Sequence, residues 1–247
     1  MQTKHAHGEG ASPVLHGDLV VVNWDHEADS AIHAFDKRTG KERWKVARDE
    51  KTSWSTPIVV EHGGKHQVIV SATKRIRSYA LETGELLWEC GGLSNNVVAS
   101  PVAGNGLVIA GSSYEKKAMV AIKLEGAAGD ITDTDQVVWT TNQRTPYVPS
   151  PLLYEDTLYF FNHYQGILSC LEVATGEKRA GPFRLGALSN IYASPVAAAG
   201  RIYFTDLDGA TMVLQHGKEP KPLGVNHLDD SFSASAALVG KDLYLRG

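Results

Sequence analysis

Cysteine is scarce in this chain, with only Cys90 and Cys170 among 247 residues. Two thiols in different parts of the sequence exclude a disulfide framework, and packing is their expected role. Cationic excess is also lacking: 24 Lys and Arg stand against 28 Asp and Glu, a formal charge of −4. The clustered basic footprint of nucleic-acid binders is absent, so nucleic acid is not a predicted partner. No stretch reaches the roughly 18 continuous apolar residues of a membrane span. Met1-Gln2-Thr3-Lys4 leads into polar residues rather than an apolar signal core, so neither membrane insertion nor a signal peptide is predicted. There is no His-Glu-x-x-His or Gly-x-Ser-x-Gly motif, and no phosphate-cradling loop. Gly8-x-Gly10 and Gly104-x-Gly106 lack the third glycine and the following helix and read as turns.

What the chain has is a rhythm. Half of its ten prolines sit in one recurring dipeptide: Ser12-Pro13, Thr56-Pro57, Ser100-Pro101, Ser150-Pro151 and Ser194-Pro195, with a sixth copy as Ser235-Ala236. The successive spacings are 44, 44, 50, 44 and 41 residues. A unit of about 40–50 residues is enough for one four-stranded propeller blade. The prediction is an all-β fold, a β-propeller of four-stranded antiparallel blades with about five full blades and a partial one. A single domain over 1–247 is expected, with repeats near 11–54, 55–98, 99–148, 149–192 and 193–233 and a partial unit at 234–247. A chain of this length buries roughly 70–75% of its extended surface, so folding need not depend on disulfides or metal.

The first unit shows the plan. Val14-Leu15 and Leu19 to Asn23 are predicted strands around a His16-Gly17-Asp18 turn. Ala31 to Asp36 alternates apolar and polar residues, Lys37 to Gly40 turns the chain, and Glu42 to Val46 forms a fourth strand. Gly84 and Trp88 stand at the same distances from Pro57 as Gly40 and Trp44 do from Pro13. In the third unit a Gly- and Asp-rich insert, Glu125 to Gln136, delays the tryptophan to Trp139 and is expected to be an exposed loop. The fourth keeps Gly176 but has Ala180 in the Trp position, and the fifth has lost both signals. Glycine in the last hairpin suits a turn that needs positive φ, and a buried indole four residues later would fix the spacing of neighbouring blades. Asp36, Gly40, Trp44, Gly84, Trp88, Trp139 and Gly176 are therefore the expected structural docking residues. The sixth unit stops after two predicted strands, while only Met1 to Gly10 precedes the first, so the sequence reads as cut from a larger ring.

Ala34-Phe35-Asp36-Lys37-Arg38-Thr39-Gly40-Lys41-Glu42-Arg43-Trp44 resembles the tryptophan-docking motif of the quinoprotein alcohol dehydrogenase-like propellers, Ala-x-Asp-x-x-x-Gly-Lys-x-x-Trp. With the Ser-Pro openings, it makes the chain resemble a pyrroloquinoline-quinone-like (PQQ-like) repeat protein over five and a half repeats. WD40 repeats fit less well, since Trp-Asp occurs only at Trp24-Asp25. The resemblance implies one of two branches. Dehydrogenases hold PQQ and calcium on the ring axis and oxidise an alcohol or sugar; cofactor-free propellers include the BamB-like branch and sensor domains of kinases. The adjacent cysteines and the Cys-x-x-Cys-His haem attachment common among the dehydrogenases are missing, and the docking motif drifts to Ala80 and Glu172 at its acidic position. This favours the BamB-like branch: no catalytic residues, no cofactor, and a protein or peptide partner. The resemblance also suggests the periplasm or cell surface, and the dehydrogenase fragment with PQQ and calcium is the alternative.

In an antiparallel blade the segment entering the first strand and the loop leaving the second lie at the same end, which is where a partner would bind. The predicted binding rim comprises Trp24, His26, Trp54, Asn96, Tyr114, Tyr147, His163, Tyr192 and Phe232, aromatic and polar groups of the kind found in interaction hot spots. Against this stands the simpler expectation that such rings fold inward. His5-x-His7 offers two ligands without a third, so no metal site is predicted. Asp206-Leu207-Asp208-Gly209 lacks the further ligands of a calcium loop and reads as a hairpin turn. Asp229-Asp230 reads as a solvated turn.

Overall fold

A computed structural model describes residues 7–247, and His5 of the His5-x-His7 pair lies outside them. Among the described residues every regular element is a β-strand, and the chain forms two compact units, 1–143 and 144–247.

The first unit contains three sheets. Sheet 1 runs in order β1 (Val14–His16), β2 (Leu19–Trp24), β3 (Ala31–Asp36) and β4 (Glu42–Ala47). Sheet 2 is built from β5 (Ile58–His62), β6 (Lys65–Val70), β7 (Ile76–Ala80) and β8 (Leu86–Cys90). Sheet 3 uses β9 (Val102–Gly104), β10 (Leu107–Ser112), β11 (Ala118–Lys123) and, after β12 (Gly129–Asp130), its outermost strand β13 (Val137–Thr141). The short β12 does not join sheet 3. It pairs in parallel with the outer edge of β8, making sheet 2 five-stranded. Strand alternation shares the core between sheets. Val68 and Val70 of β6 pack with Val21, Ile32 and Trp44, while Ile69 between them packs with Val108, Val120 and Ile122.

The second unit has two full sheets and a partial one. Sheet 4 comprises β14 (Leu152–Tyr154), β15 (Thr157–Phe161), β16 (Ile167–Glu172) and β17 (Lys178–Arg184). Sheet 5 comprises β18 (Val196–Ala198), β19 (Arg201–Thr205), β20 (Ala210–Gln215) and β21 (Lys221–His227), and β22 (Ala237–Val239) pairs with β23 (Asp242–Tyr244). Tyr159, Phe161 and Leu168 share a core with Ile202, Phe204 and Met212, and Phe161 meets Phe204 edge to face at 5.1 Å.

The backbone repeats more faithfully than the side chains. In each full sheet the register shifts by one residue next to the Trp position, leaving Arg43, Leu87, Val138, Arg179 and Leu223 as the extra residues of a β-bulge. Trp44, Trp88, Trp139, Ala180 and Gly224 follow these bulges and face Ala34, Ser78, Ala121, Cys170 and Val213. The last hairpin also repeats: the amides of Gly40, Gly84 and Gly176 each donate to a carbonyl four residues back, at 2.8 Å, and all three glycines have φ near +70°. The threonine before each accepts from the amide two residues on, which accounts for the pair Thr-Gly.

The Ser/Thr-Pro openings have a physical role that spacing did not predict. The Ser12 amide donates to the Thr56 hydroxyl at 3.0 Å, and the Thr56 amide to the Ser100 hydroxyl at 2.9 Å. In the second unit the Ser150 amide donates to Ser194 at 3.0 Å, and the Ser194 amide to Ser235 at 2.9 Å. Each hydroxyl thus accepts from the same position of the preceding repeat. This explains Ser235-Ala236, which loses the proline but keeps the acceptor.

The insert departs from the expected exposed loop. Its ends are exposed, but Ile131 is buried in the core shared by sheets 2 and 3, beside β12. A lone aliphatic side chain and the unsatisfied edge of β8 outweigh the polar composition around them.

Candidate functional site

The end of the sheets that carries the predicted rim differs between the two units. In the first unit it is built from charge. Asp25, just beyond β2, and Arg48, just beyond β4, are fully buried side chains joined at 2.7 and 3.1 Å. The carboxylate also accepts from Ser53 at 2.6 Å and Asn23 at 3.2 Å, while Arg48 donates to the Tyr79 hydroxyl at 2.6 Å. Burial opposes the Arg48 cation, yet Asp25 overcomes it and holds the guanidinium above its ordinary pKa. Next to this pair, Glu50 accepts from the Lys74 and Arg75 amides and from Arg77, at 2.8, 3.2 and 2.9 Å. Burial pushes the Glu50 carboxyl up, against the pull of those donors. Arg77 completes the network through Glu89 at 2.8 Å and Asp49 at 2.6 Å.

The rim residues of this unit are largely engaged. Trp24, half-buried, donates through Nε1 to Glu9 at 3.1 Å, and Trp54 donates to the Gly8 carbonyl at 2.9 Å. A Cβ on Gly10 would sit 3.0 Å from the Trp54 ring, so this stretch lies against the indole. His26 is buried, contrary to expectation, because its Nδ1 accepts from the Ala28 amide and its own amide donates to Ser30, closing the loop on itself. The Asn96 amide donates to Thr73, and Tyr114 is the one large ring of this rim left well exposed, at 49%.

In the second unit the same end is aromatic. Tyr147 precedes sheet 4, His163 and Tyr164 follow β15, and Tyr192 precedes sheet 5. Tyr147 and His163 lie 5.0 Å apart, Tyr164 stands edge-on to His163 at 5.8 Å, and Tyr164 stacks on Tyr192 at 5.6 Å with rings 5° from parallel. Tyr164 and Tyr192 remain 38% and 39% exposed. The fold therefore gathers three predicted rim residues and Tyr164 into one patch. Backbone bonds hold the loops beneath it: the Ile191 amide donates to the Tyr164 carbonyl at 2.9 Å, and the Leu207 amide to Asn190 at 3.2 Å. Phe232, expected on this rim, is buried and offers no surface.

The docking positions show distinct environments. Trp44 donates through Nε1 to the Leu81 carbonyl at 2.8 Å, and a Cβ on Gly84 would lie 2.7 Å from its ring, so glycine is required at that contact for space as well as φ. Trp88 is fully buried and donates to Gln67 of its own sheet at 2.9 Å; Trp139 is half-buried. Asp36 accepts from the Arg38 and Thr39 amides and the Thr39 hydroxyl; hydrogen bonds from Thr39, chiefly, hold its carboxyl below the usual range.

Among the described residues, one acidic and histidine group has atoms close enough to share an ion: Glu155, Asp156 and His216. Its groups are already matched. Arg179 pairs with Asp156, and His216 bridges Glu155 at 3.0 Å and the Tyr159 hydroxyl at 2.8 Å. It also lies at the β14–β15 turn, the opposite end from the rim. Asp206 accepts from the Asp208, Ala210 and Ser189 amides and closes its hairpin. Arg48 and Arg77, the buried cations that could meet a quinone carboxylate, are saturated by Asp25, Glu50 and Glu89. Cys90 and Cys170 are free and buried, and burial raises their thiols to about 11 and about 12. This arrangement does not fit PQQ with calcium.

Sheets of four antiparallel strands with a shared bulge, a Thr-Gly hairpin and an indole at a fixed place define a β-propeller of the PQQ-like repeat class. The family model described as "Outer membrane protein assembly factor BamB" matches residues 28–245, and the chain belongs to that family. No curated protein matches it in sequence. Among solved structures, BamB from Moraxella catarrhalis is similar at 15% identity and TM-score 0.70, over 96% of this chain and 69% of that one. The quinohemoprotein alcohol dehydrogenase of Comamonas testosteroni (16% identity) and a europium-containing methanol dehydrogenase (10%) both superpose with TM-score 0.59 over 89% of this chain. The chain spans only 43% and 51% of those enzymes. At such identities the likeness is one of fold.

Proposed function

We propose that the protein is a non-catalytic interaction propeller of the cell envelope that binds a protein or extended peptide on its rim. The patch of Tyr147, His163, Tyr164 and Tyr192 carries this reading. Partly exposed, mutually stacked rings on hydrogen-bonded loops supply large contact area at little entropic cost. Membership of the BamB family supports a role in outer-membrane protein assembly, in the periplasm or at the cell surface. The repeats act as one PQQ-like domain over 1–247. Asp36, Gly40, Trp44, Gly84, Trp88, Trp139 and Gly176 serve to dock blades; Trp24, Trp54, Asn96 and Tyr114 line the corresponding end of the first unit.

The test is a photo-crosslinking residue at position 192, with position 223 on the exposed strand β21 as control. A discrete adduct is expected from 192 alone, and Tyr164→Ser should reduce it at least fivefold while altering stability by less than about 1 kcal/mol. The dehydrogenase alternative predicts the reverse: no adduct, saturable uptake of PQQ with calcium, and dye-linked alcohol oxidation.

A further inference from the structure

The insert between β11 and β13 behaves as a ligand held in place by its own chain. Across the described residues, the outermost strands β4, β13, β17 and β21 carry no further strand, whereas β8 carries β12. The contacts that hold β12 are those by which an edge strand recognises an extended peptide. Gly129 and Asp130 pair in parallel with Trp88 and Glu89, and the Ile131 amide donates to the Glu89 carbonyl at 2.9 Å. Arg75 donates to Asp130 at 2.9 Å, the Ile131 side chain is buried, and the Thr132 hydroxyl accepts from the Gly91 amide at 2.9 Å. Backbone pairing supplies affinity; the carboxylate, the aliphatic side chain and the hydroxyl supply a pattern.

The site is longer than its occupant. Because β12 runs parallel to β8, a continuing strand would pass Gly91 and Gly92 into a cavity of about 560 Å³, walled by Lys116 and Lys117 and by Thr140 to Asn142. The insert leaves this path at Asp133, whose φ of 58° turns it back toward β13. A peptide with no need to return could continue, and the two lysines favour acidic residues there. The insert itself is exposed from Glu125 to Asp130 except at half-buried Ala127, with left-handed glycines at Gly126 and Gly129. One buried side chain, a partly exposed ion pair and a few hydrogen bonds hold it in place.

We propose that the outer edge of sheet 2 is a strand-addition site for an extended acidic peptide of another protein, patterned acidic-aliphatic-Thr-acidic, and that residues 125–136 occupy it in cis. This site is separate from the aromatic rim and does not rest on it.

The test uses a fluorescent peptide of sequence Ala-Gly-Asp-Ile-Thr-Asp-Glu-Glu and two full-length variants. One has residues 125–136 shortened to a four-residue turn; the other is Ile131→Ser, which keeps the chain length. Both should bind the peptide saturably, at least tenfold more tightly than the unaltered protein, whose tethered insert competes at high effective concentration. Replacing the peptide isoleucine with serine, or adding Arg75→Ala to the protein, should weaken binding at least tenfold; Lys116→Ala with Lys117→Ala should weaken it severalfold. If either variant folds cooperatively and binds no more tightly than the unaltered protein, the proposal fails. It also fails if the unaltered chain forms a dimer that Ile131→Ser abolishes, for then the occupant is a second copy.

Discussion

At equivalent ends of equivalent sheets, the first unit places a buried ion network and the second an open set of rings. Asp25, Arg48, Glu50 and Arg77 satisfy one another, so their chemistry is spent on holding strands together. Tyr147, His163, Tyr164 and Tyr192 meet one another, and Tyr164 and Tyr192 leave area uncovered. The same backbone plan can therefore carry a closed ion network in one unit and an open aromatic patch in the other. Side chains in loops beyond the strand ends decide which.

The comparison breaks most sharply at Arg48. Arg48→Met leaves Asp25 buried without its cation and should cost about 3–5 kcal/mol in chemical denaturation. Tyr192 has no such dependent, which is why truncating its rim neighbour is expected to cost so little. A smaller effect tests what the units share. Ser194→Ala removes the acceptor of the Ser150 amide and should cost about 1 kcal/mol, or up to about 3 if that amide is left dry; Ser194→Thr should retain most of the stability. The smallest effect is in acid. Arg179, above all by hydrogen bonding, lowers the Asp156 carboxyl from its ordinary 3.8 to about 2. A folded pKa below the unfolded one gives stabilisation that is complete above pH 4 or so and lost as the pH falls toward 2. Arg179→Gln should flatten the stability profile in that window by lowering stability modestly at pH 6 to 8, where the stabilisation is fully present, and leaving pH 2 little changed.

Strand order, the hairpin turns and the Trp positions were legible because they depend on local periodicity and on residues with narrow conformational demands. Ala31–Asp36 has the predicted bounds. The bulge was not legible, since Arg43, Leu87, Val138, Arg179 and Leu223 share no chemistry; only paired register reveals it. Ile131 could have been found, being the single aliphatic residue larger than alanine between Glu125 and Gln136. The ion network was hidden for another reason: Asp25, Arg48 and Arg77 look like ordinary solvated charges until three strands bring them together. On the rim, His26 and Phe232 turn inward because side-chain direction in a loop follows local contacts that no periodicity encodes.

The hydroxyl links from Ser12 through Thr56 to Ser100, and from Ser150 through Ser194 to Ser235, join each module only to its successor. A seam of that kind is indifferent to how many modules it stitches. Gene duplication or loss of one whole repeat within either series would leave each of these donors facing an equivalent hydroxyl, so such a chain can lengthen or shorten in evolution without redesigning its joints.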